Sequence, residues 1–289
     1  MATKKNKNNR RLILVLLPVI IVLLTVLLTL IQRTGPAEKP VEAAVIEPEA
    51  EHESAAAKII EPAEDKGTIY FVIDDVGYNI DQLEPFLALD CSLTFAILPF
   101  LPYSNAAARQ IEQKEKEYII HMPMEPVNGE DPGPGALYTS MEADEIQASA
   151  MEILVSLPGA EGVNNHMGSK FTSDTTSMDA FLQVLKQEGK FYLDSYTTAE
   201  SVVRESSERN NMIYNKRDVF VDNTPRAEDM EKAIREGFVL AEKQGEAVLI
   251  GHVWSENLPG VIEKLYREGI EKGYRFAHLS ELYGQEGSS

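Results

Sequence analysis

Short apolar runs alternate along this chain with longer stretches in which apolar positions recur every three or four residues. The first run, Ile69 to Ile73, is β-branched or aromatic throughout and predicts a buried strand. Further strands are predicted at Leu93 to Leu98, Tyr118 to His121, Gly162 to His166, Phe191 to Asp194, Val219 to Asp222 and Ala247 to His252, with a short eighth at Tyr274 to Ala277. Helices are predicted from about Ser104 to Glu117, Met141 to Leu157, Ser177 to Glu188, Thr198 to Arg209, Arg226 to Gln244 and Leu258 to Lys272. In the second of these Ile146, Ala150, Ile153, Leu154 and Leu157 share a face, and Thr139 and Glu142 stand before it at capping-box spacing. Gly189, Gly245 and Gly273 each separate a predicted helix from a predicted strand, where a left-handed residue ends a helix.

Repeated strand–helix units imply mainly parallel strands. A regular eightfold barrel typically needs ~250 residues, and the strand-bearing part, 67–284, is shorter. The expected fold is therefore α/β, a distorted or incomplete (β/α) barrel of about seven strands.

Ahead of the barrel the pattern changes. Residues 12–31 carry no charge and are long enough to cross a bilayer core of ~30 Å. Lys4, Lys5, Lys7, Arg10 and Arg11 precede them, which predicts a cytoplasmic tail over 1–11 and the remainder outside. Gln32, Arg33 and Thr34 follow directly in place of a small-residue cleavage site, so an uncleaved signal anchor is expected rather than a removed leader. Residues 32–66, rich in Pro, Ala and Glu, read as a flexible acidic linker, and 285–289 as a tail. The expected localisation is the cell membrane, single-pass, with the domain on the extracytoplasmic side.

Composition narrows the partners. The net charge of −19 and the absence of a basic stripe argue against nucleic acid and for a neutral or amine-bearing substrate. The only cysteine, Cys91, excludes an intrachain disulfide and reads as a packed thiol.

Candidate chemistry lies where the strands end. The first closes on Asp74 and Asp75, two carboxylates that repel and that a cation would reconcile; a capping or turn aspartate beside a solvated one is the plainer alternative. Later strands close on His121, His166, Asp194 with Ser195, Asp222 with Asn223, and His252. In parallel α/β folds that edge carries ligands and catalysis. Asp75, His121 and His166 can form a metal site whose two imidazoles and one carboxylate leave a place for water, as in catalytic zinc sites. Asp74 can then act as base and His252 as acid in amide or ester hydrolysis. Glu125, four residues after His121, is placed to touch metal or substrate; Asn165, Ser169, Asp194, Ser195, Asp222 and Trp254 are candidate supporting or substrate-binding groups. Asp222 equally suits a helix cap before the helix that follows Pro225. A serine triad through Ser169 or Ser195 lacks the Gly-x-Ser-x-Gly elbow.

Taken in order, Ile-Asp74-Asp75-Val-Gly, His121-Met-Pro-Met-Glu125-Pro, Gly-Val-Asn-Asn-His166-Met-Gly-Ser, Leu-Asp194-Ser and Ile-Gly-His252 resemble the divergent polysaccharide deacetylases over nearly the whole domain. The resemblance implies a distorted (β/α) barrel, a divalent metal, most simply zinc, and an N-acetylated polysaccharide or envelope glycan as substrate. It matches Asp74 to the base, Asp75 to the metal-binding aspartate and His252 to the acid. His121 and His166 match by position on neighbouring strands. The chain departs from better-characterised deacetylases, which set two metal histidines four apart; here that fourth position is Glu125. Their arginine-proline-tyrosine motif and fourth-motif tryptophan have no clear counterpart. Two other readings remain open: an inactive glycan-binding or envelope-organising protein on the same fold, and a metal-dependent hydrolase of another amide, ester or phosphate.

Overall fold

The computed structural model describes residues 66–284. The predicted tail, membrane anchor and nearly all of the linker lie outside the described residues, as do 285–289. Among the described residues no helix is long and apolar enough to cross a membrane.

Among the described residues nine parallel strands form one sheet: β1 (Thr68–Val76), β2 (Thr94–Ile97), β3 (Glu117–Met124), β4 (Gly162–Met167), β5 (Phe191–Asp194), β6 (Asn215–Lys216), β7 (Val219–Phe220), β8 (Glu246–His252) and β9 (Arg275–Ala277). Their order is β6-β5-β4-β3-β2-β1-β8-β7, with β9 beside the first residues of β1. The two outermost strands, β6 and β7, are separated along the chain only by Arg217 and Asp218. So short a link spans at most ~3.6 Å per residue, so the sheet must curl until its edges nearly meet. The result is a (β/α) barrel closed by one diagonal stretch of chain instead of by a hydrogen-bonded ladder. The expected strands are present, and the two-residue β6 is an addition too short to leave an apolar run.

Side chains alternate across this wall as the strand period requires. Tyr70, Val72, Ala96, Ile119, Leu193, Val248 and Ile250 fill the barrel interior. Ile69, Phe71, Ile73, Phe95, Ile120, Val163 and Leu249 face outward into the helix layer. Continuing the inward series along each strand reaches Asp74, His121, Asn164, His166 and His252. The wall alternation therefore delivers polar groups to one mouth.

The helices follow the predicted order with shifted ends. Ser104–Gln113 stops early because Glu115 takes a left-handed φ of 53° and turns the chain into β3. Ala143–Ser156 begins with a capping box formed by Glu142 and Glu145, not by Thr139 and Glu142. The Thr139 hydroxyl is committed elsewhere, to Glu125. The helix expected from Thr198 covers only Val203–Arg209. Gly245 caps Ala227–Gln244 at φ 94°, as its position predicts. Cys91 is buried, and burial pushes its thiol up to about 11, the state of a packed group.

Candidate metal centre

Asp74 and Asp75 would point to opposite sides of the wall in an unbroken strand. They do not, because Asp75 has a left-handed φ of 64° and the β1–β2 register shifts between Ile73 and Val76. An aspartate tolerates that conformation better than most residues, yet it remains uncommon. The break turns both carboxylates to the mouth.

There Asp75, His121 and His166 meet, the one group among the described residues whose donor atoms lie close enough to hold an ion together. Asp75 Oδ1 is 3.0 Å from His166 Nδ1 and 3.3 Å from His121 Nε2, and the two nitrogens are 3.1 Å apart. Ligands about 2.0–2.2 Å from a tetrahedral ion stand about 3.3–3.6 Å from one another, so this triangle is close to one face of such a shell. Asp75 Oδ1 is also buried without a hydrogen-bond partner, an orphan that an ion would satisfy. Its other oxygen accepts the Trp254 indole N–H at 2.9 Å. These residues fit a divalent ion.

The support around the triangle comes from Asn164. Its amide N–H donates to Asp74 Oδ1 at 2.9 Å, which leaves its carbonyl oxygen to accept from His121 Nδ1 at 2.7 Å. His121 therefore carries its proton on Nδ1 and aims Nε2 at the centre, the tautomer a ligand needs. One side chain sets both the carboxylate and the imidazole. Sequence reasoning chose Asn165 instead. Strand alternation was the available signal, since Asn164 shares its face with His166 and Asn165 does not. Asn165 turns away, accepting from the Tyr192 hydroxyl and the Ser195 backbone N–H, each at 2.9 Å.

Asp74 is 2 % exposed. Burial raises its carboxyl above the usual range, with Asp75 adding to the rise and His121 and His252 opposing it. Burial acts the same way on Asp75, but His121 and His166 outweigh it and hold that carboxyl well below the usual range. Neighbouring carboxylates thus diverge, one tending toward protonation and one firmly ionised.

His252 lies beside Asp74 in the β1–β8 register. Asp222 accepts its backbone N–H at 2.8 Å and faces its Nδ1 at 3.0 Å. Burial depresses the imidazole, but the Asp222 hydrogen bond and the charges of Asp74 and Asp75 overcome this and raise it to about 9. Asp222 therefore serves the histidine; the helix Ala227–Gln244 has no side-chain cap. The His252 ring stacks with those of Phe220 and Trp254, with centroids 5.8 and 4.8 Å away and planes inclined by 21° in both cases. Nothing in the spacing of the sequence revealed Phe220.

Other expected groups lie apart from the triangle. Glu125 is committed on both oxygens, to Lys170 at 2.7 Å and to the Thr139 amide and hydroxyl at 2.8 and 2.7 Å, so it ties two loops together and does not join the donors. Ser169 accepts the Val127 N–H at 3.0 Å and likewise fixes a loop. Asp194 accepts from the Tyr196 N–H and the Ser201 hydroxyl.

The chain belongs to the divergent polysaccharide deacetylase family, whose model matches residues 71–283. It is 30 % identical over 186 residues to the uncharacterized protein YibQ of Escherichia coli (strain K12), covering 64 % of this chain and 58 % of that one. An uncharacterized protein of Haemophilus influenzae is also 30 % identical, over 63 % of this chain and 65 % of its own length. The chain thus spans less than two thirds of the curated relatives it matches. An uncharacterized protein from Agrobacterium tumefaciens C58 shares the fold with a TM-score of 0.72 at 17 % identity, over 75 % of this chain and 89 % of that structure.

Proposed function

We propose that the protein is a metal-dependent hydrolase that removes acetyl groups from an N-acetylated polysaccharide. The observation that carries this reading is the triangle of donor atoms on Asp75, His121 and His166, flanked by the buried Asp74 and by His252 on its Asp222 partner. Those three residues would hold a divalent ion, and their nitrogen and oxygen donors suit zinc. When bound, such an ion polarises an acyl carbonyl and acidifies water.

The chain's own groups supply the proton transfers. Asp74, held above the usual carboxylate range, accepts the proton of the attacking water. Water adds to the acetyl carbon, the C–N bond breaks, and acetate and a free amine result. His252, protonated at neutral pH, donates to the departing nitrogen, and Asp222 steadies its charge. Trp254 holds Asp75 in place and gives the rim an apolar wall, being half exposed. Family membership supports a polysaccharide as the acetyl carrier. The apolar segment 12–31 supports a membrane tether that would hold the domain outside, near envelope glycan.

Acetate release from N-acetylated oligosaccharides by the metal-loaded protein tests the reading. It predicts release that stops on chelation and in Asp74→Asn. A loaded protein that binds these glycans and frees no acetate would leave a glycan-binding role in its place.

A further inference from the structure

The barrel closes through Arg217 and Asp218, and each pins the chain to one side of the seam. The Arg217 backbone N–H donates to the Asp194 carbonyl of β5 at 2.9 Å. The Asp218 backbone N–H donates to the Val248 carbonyl of β8 at 2.9 Å, and its carboxylate accepts the Val248 N–H at 2.9 Å. A seam without a ladder still has backbone groups to satisfy, and these bonds do so. The Arg217 side chain reaches on toward the mouth. Its Nε donates to the Ser195 carbonyl at 2.9 Å and its Nη2 to the Tyr196 carbonyl at 3.0 Å, two consecutive groups just past the end of β5. Tyr196 has a left-handed φ of 50°, uncommon for so bulky a residue. Two bonds from one planar guanidinium fix its plane as well as its place.

That plane meets an aromatic ring. The guanidinium carbon is 3.7 Å from the centre of the Phe220 ring, which packs against the barrel interior and stacks with His252. His252 stacks in turn with Trp254, whose indole N–H goes to Asp75. A continuous series of contacts therefore runs from the end of β5 across the seam, through Arg217, Phe220 and His252, to the candidate metal centre. Phe220 has need of such a contact. It ends the two-residue β7, which among the described residues pairs only with β8, and its other edge is the seam. Arg217, anchored on β5, carries a contact across that edge. His252 has need of one too. Asp222 holds its ring at Nδ1, and a bond at one atom leaves the ring free to tilt about it. A neighbour against its face sets the tilt.

We propose that Arg217 is a positioning residue for the proton donor: anchored on the Ser195 and Tyr196 carbonyls, it holds Phe220, and Phe220 sets the tilt of the His252 ring toward the departing nitrogen. The donor role of His252 rests on the hydrolase reading above; the mechanical link does not. A guanidinium suits this place because its edge offers donors to carbonyls while its flat face is attracted to an aromatic ring. An ammonium has no such face, and an apolar side chain has no donors.

The test is side-chain NMR of the histidine-labelled, metal-free full chain, with acetate release by the loaded protein measured beside it. His252→Ala assigns the His252 ring signals, which stacking should shift upfield of those of an exposed histidine. Arg217→Met should move them toward the exposed position and lower kcat by about 10–100-fold with KM little changed. Asp218→Ala, which weakens the same seam on its β8 side, should lower the denaturant midpoint and leave the ring signals in place. In a Phe220→Leu background, adding Arg217→Met should change neither the His252 signals nor kcat further, because the link runs through Phe220. Signals unmoved by Arg217→Met in the folded protein, signals moved as far by Asp218→Ala, or an Arg217→Met effect that survives in the Phe220→Leu background would each overturn the proposal. If Arg217→Met fails to fold, Arg217→Lys, which keeps the charge and loses the planar fork, is read in the same way. Ring signals that respond in a protein releasing no acetate remove the hydrolase reading and keep the link. Ring signals that respond while kcat stays unchanged overturn the positioning role and leave the hydrolase reading intact.

Discussion

Both ends of this barrel bury carboxylates, and they treat them differently. At the amino end Glu117, which opens β3, accepts the Thr94 hydroxyl at 2.7 Å and faces the Ser280 N–H at 3.2 and 3.3 Å. The same Thr94 oxygen accepts the Leu279 N–H at 3.0 Å. Every partner is internal, and the network fastens the segment after β9 under the barrel. At the carboxyl end Asp75 keeps an oxygen with no hydrogen bond, two imidazole nitrogens stand 3.1 Å apart, and the strand is bent to bring them together. Burial alone does not mark function, since Glu117 is buried as well. What separates the two ends is satisfaction: the carboxylate of Glu117 is fully partnered within the protein, and that of Asp75 is not.

That contrast can be broken in several ways. The largest effect is expected at the proton-transfer groups: Asp74→Asn and His252→Ala should each lower turnover on an N-acetylated glycan by about 10²–10⁴ while metal content is unchanged. An unaltered rate in either would remove that residue from the reaction. Next comes Asn164→Leu, which removes the orienter of His121 and Asp74; metal titration should show affinity weakened by roughly 10–100-fold. Unchanged affinity would mean that packing alone orients His121.

Asp222→Asn is expected to act through pH. If His252 is the proton donor, its value of about 9 keeps it protonated up to about that pH, so wild-type turnover should fall as pH rises through it. Without the Asp222 charge the fall should move toward the ordinary histidine range, and a pH–rate profile with an unmoved alkaline limb would contradict the assignment. At the amino end Thr94→Val should leave turnover as it was and cost about 1–3 kcal/mol of stability by denaturant unfolding, because Glu117 and the Leu279 N–H lose a buried partner. A loss of turnover there would erase the distinction between the ends.

The fold was readable because its signals are local: apolar runs, a helical stripe, and glycine stops such as Gly245. The convergence of Asp75, His121 and His166 was readable from their places at strand ends, on the rule that parallel strands carry ligands at one edge. What escaped the sequence depends on neighbours distant in the chain. Asn164 gains its role only when β4 lies against β3, Asp222 finds His252 only across the β7–β8 pair, and the two-residue β6 exists only because the barrel must close. Glu125 is the converse case: four-residue spacing suggested contact with metal or substrate, but its side chain lies outside the donor group and is held by Lys170 and Thr139. The left-handed Asp75 could not be foreseen from composition at all.

The most direct test is the metal content of the purified protein, with Asp75→Ala and His166→Ala alongside. About one equivalent of a divalent ion per chain, lost in both variants, is the expected result. No ion after reconstitution, or an ion kept in both variants, would contradict a metal centre on Asp75, His121 and His166.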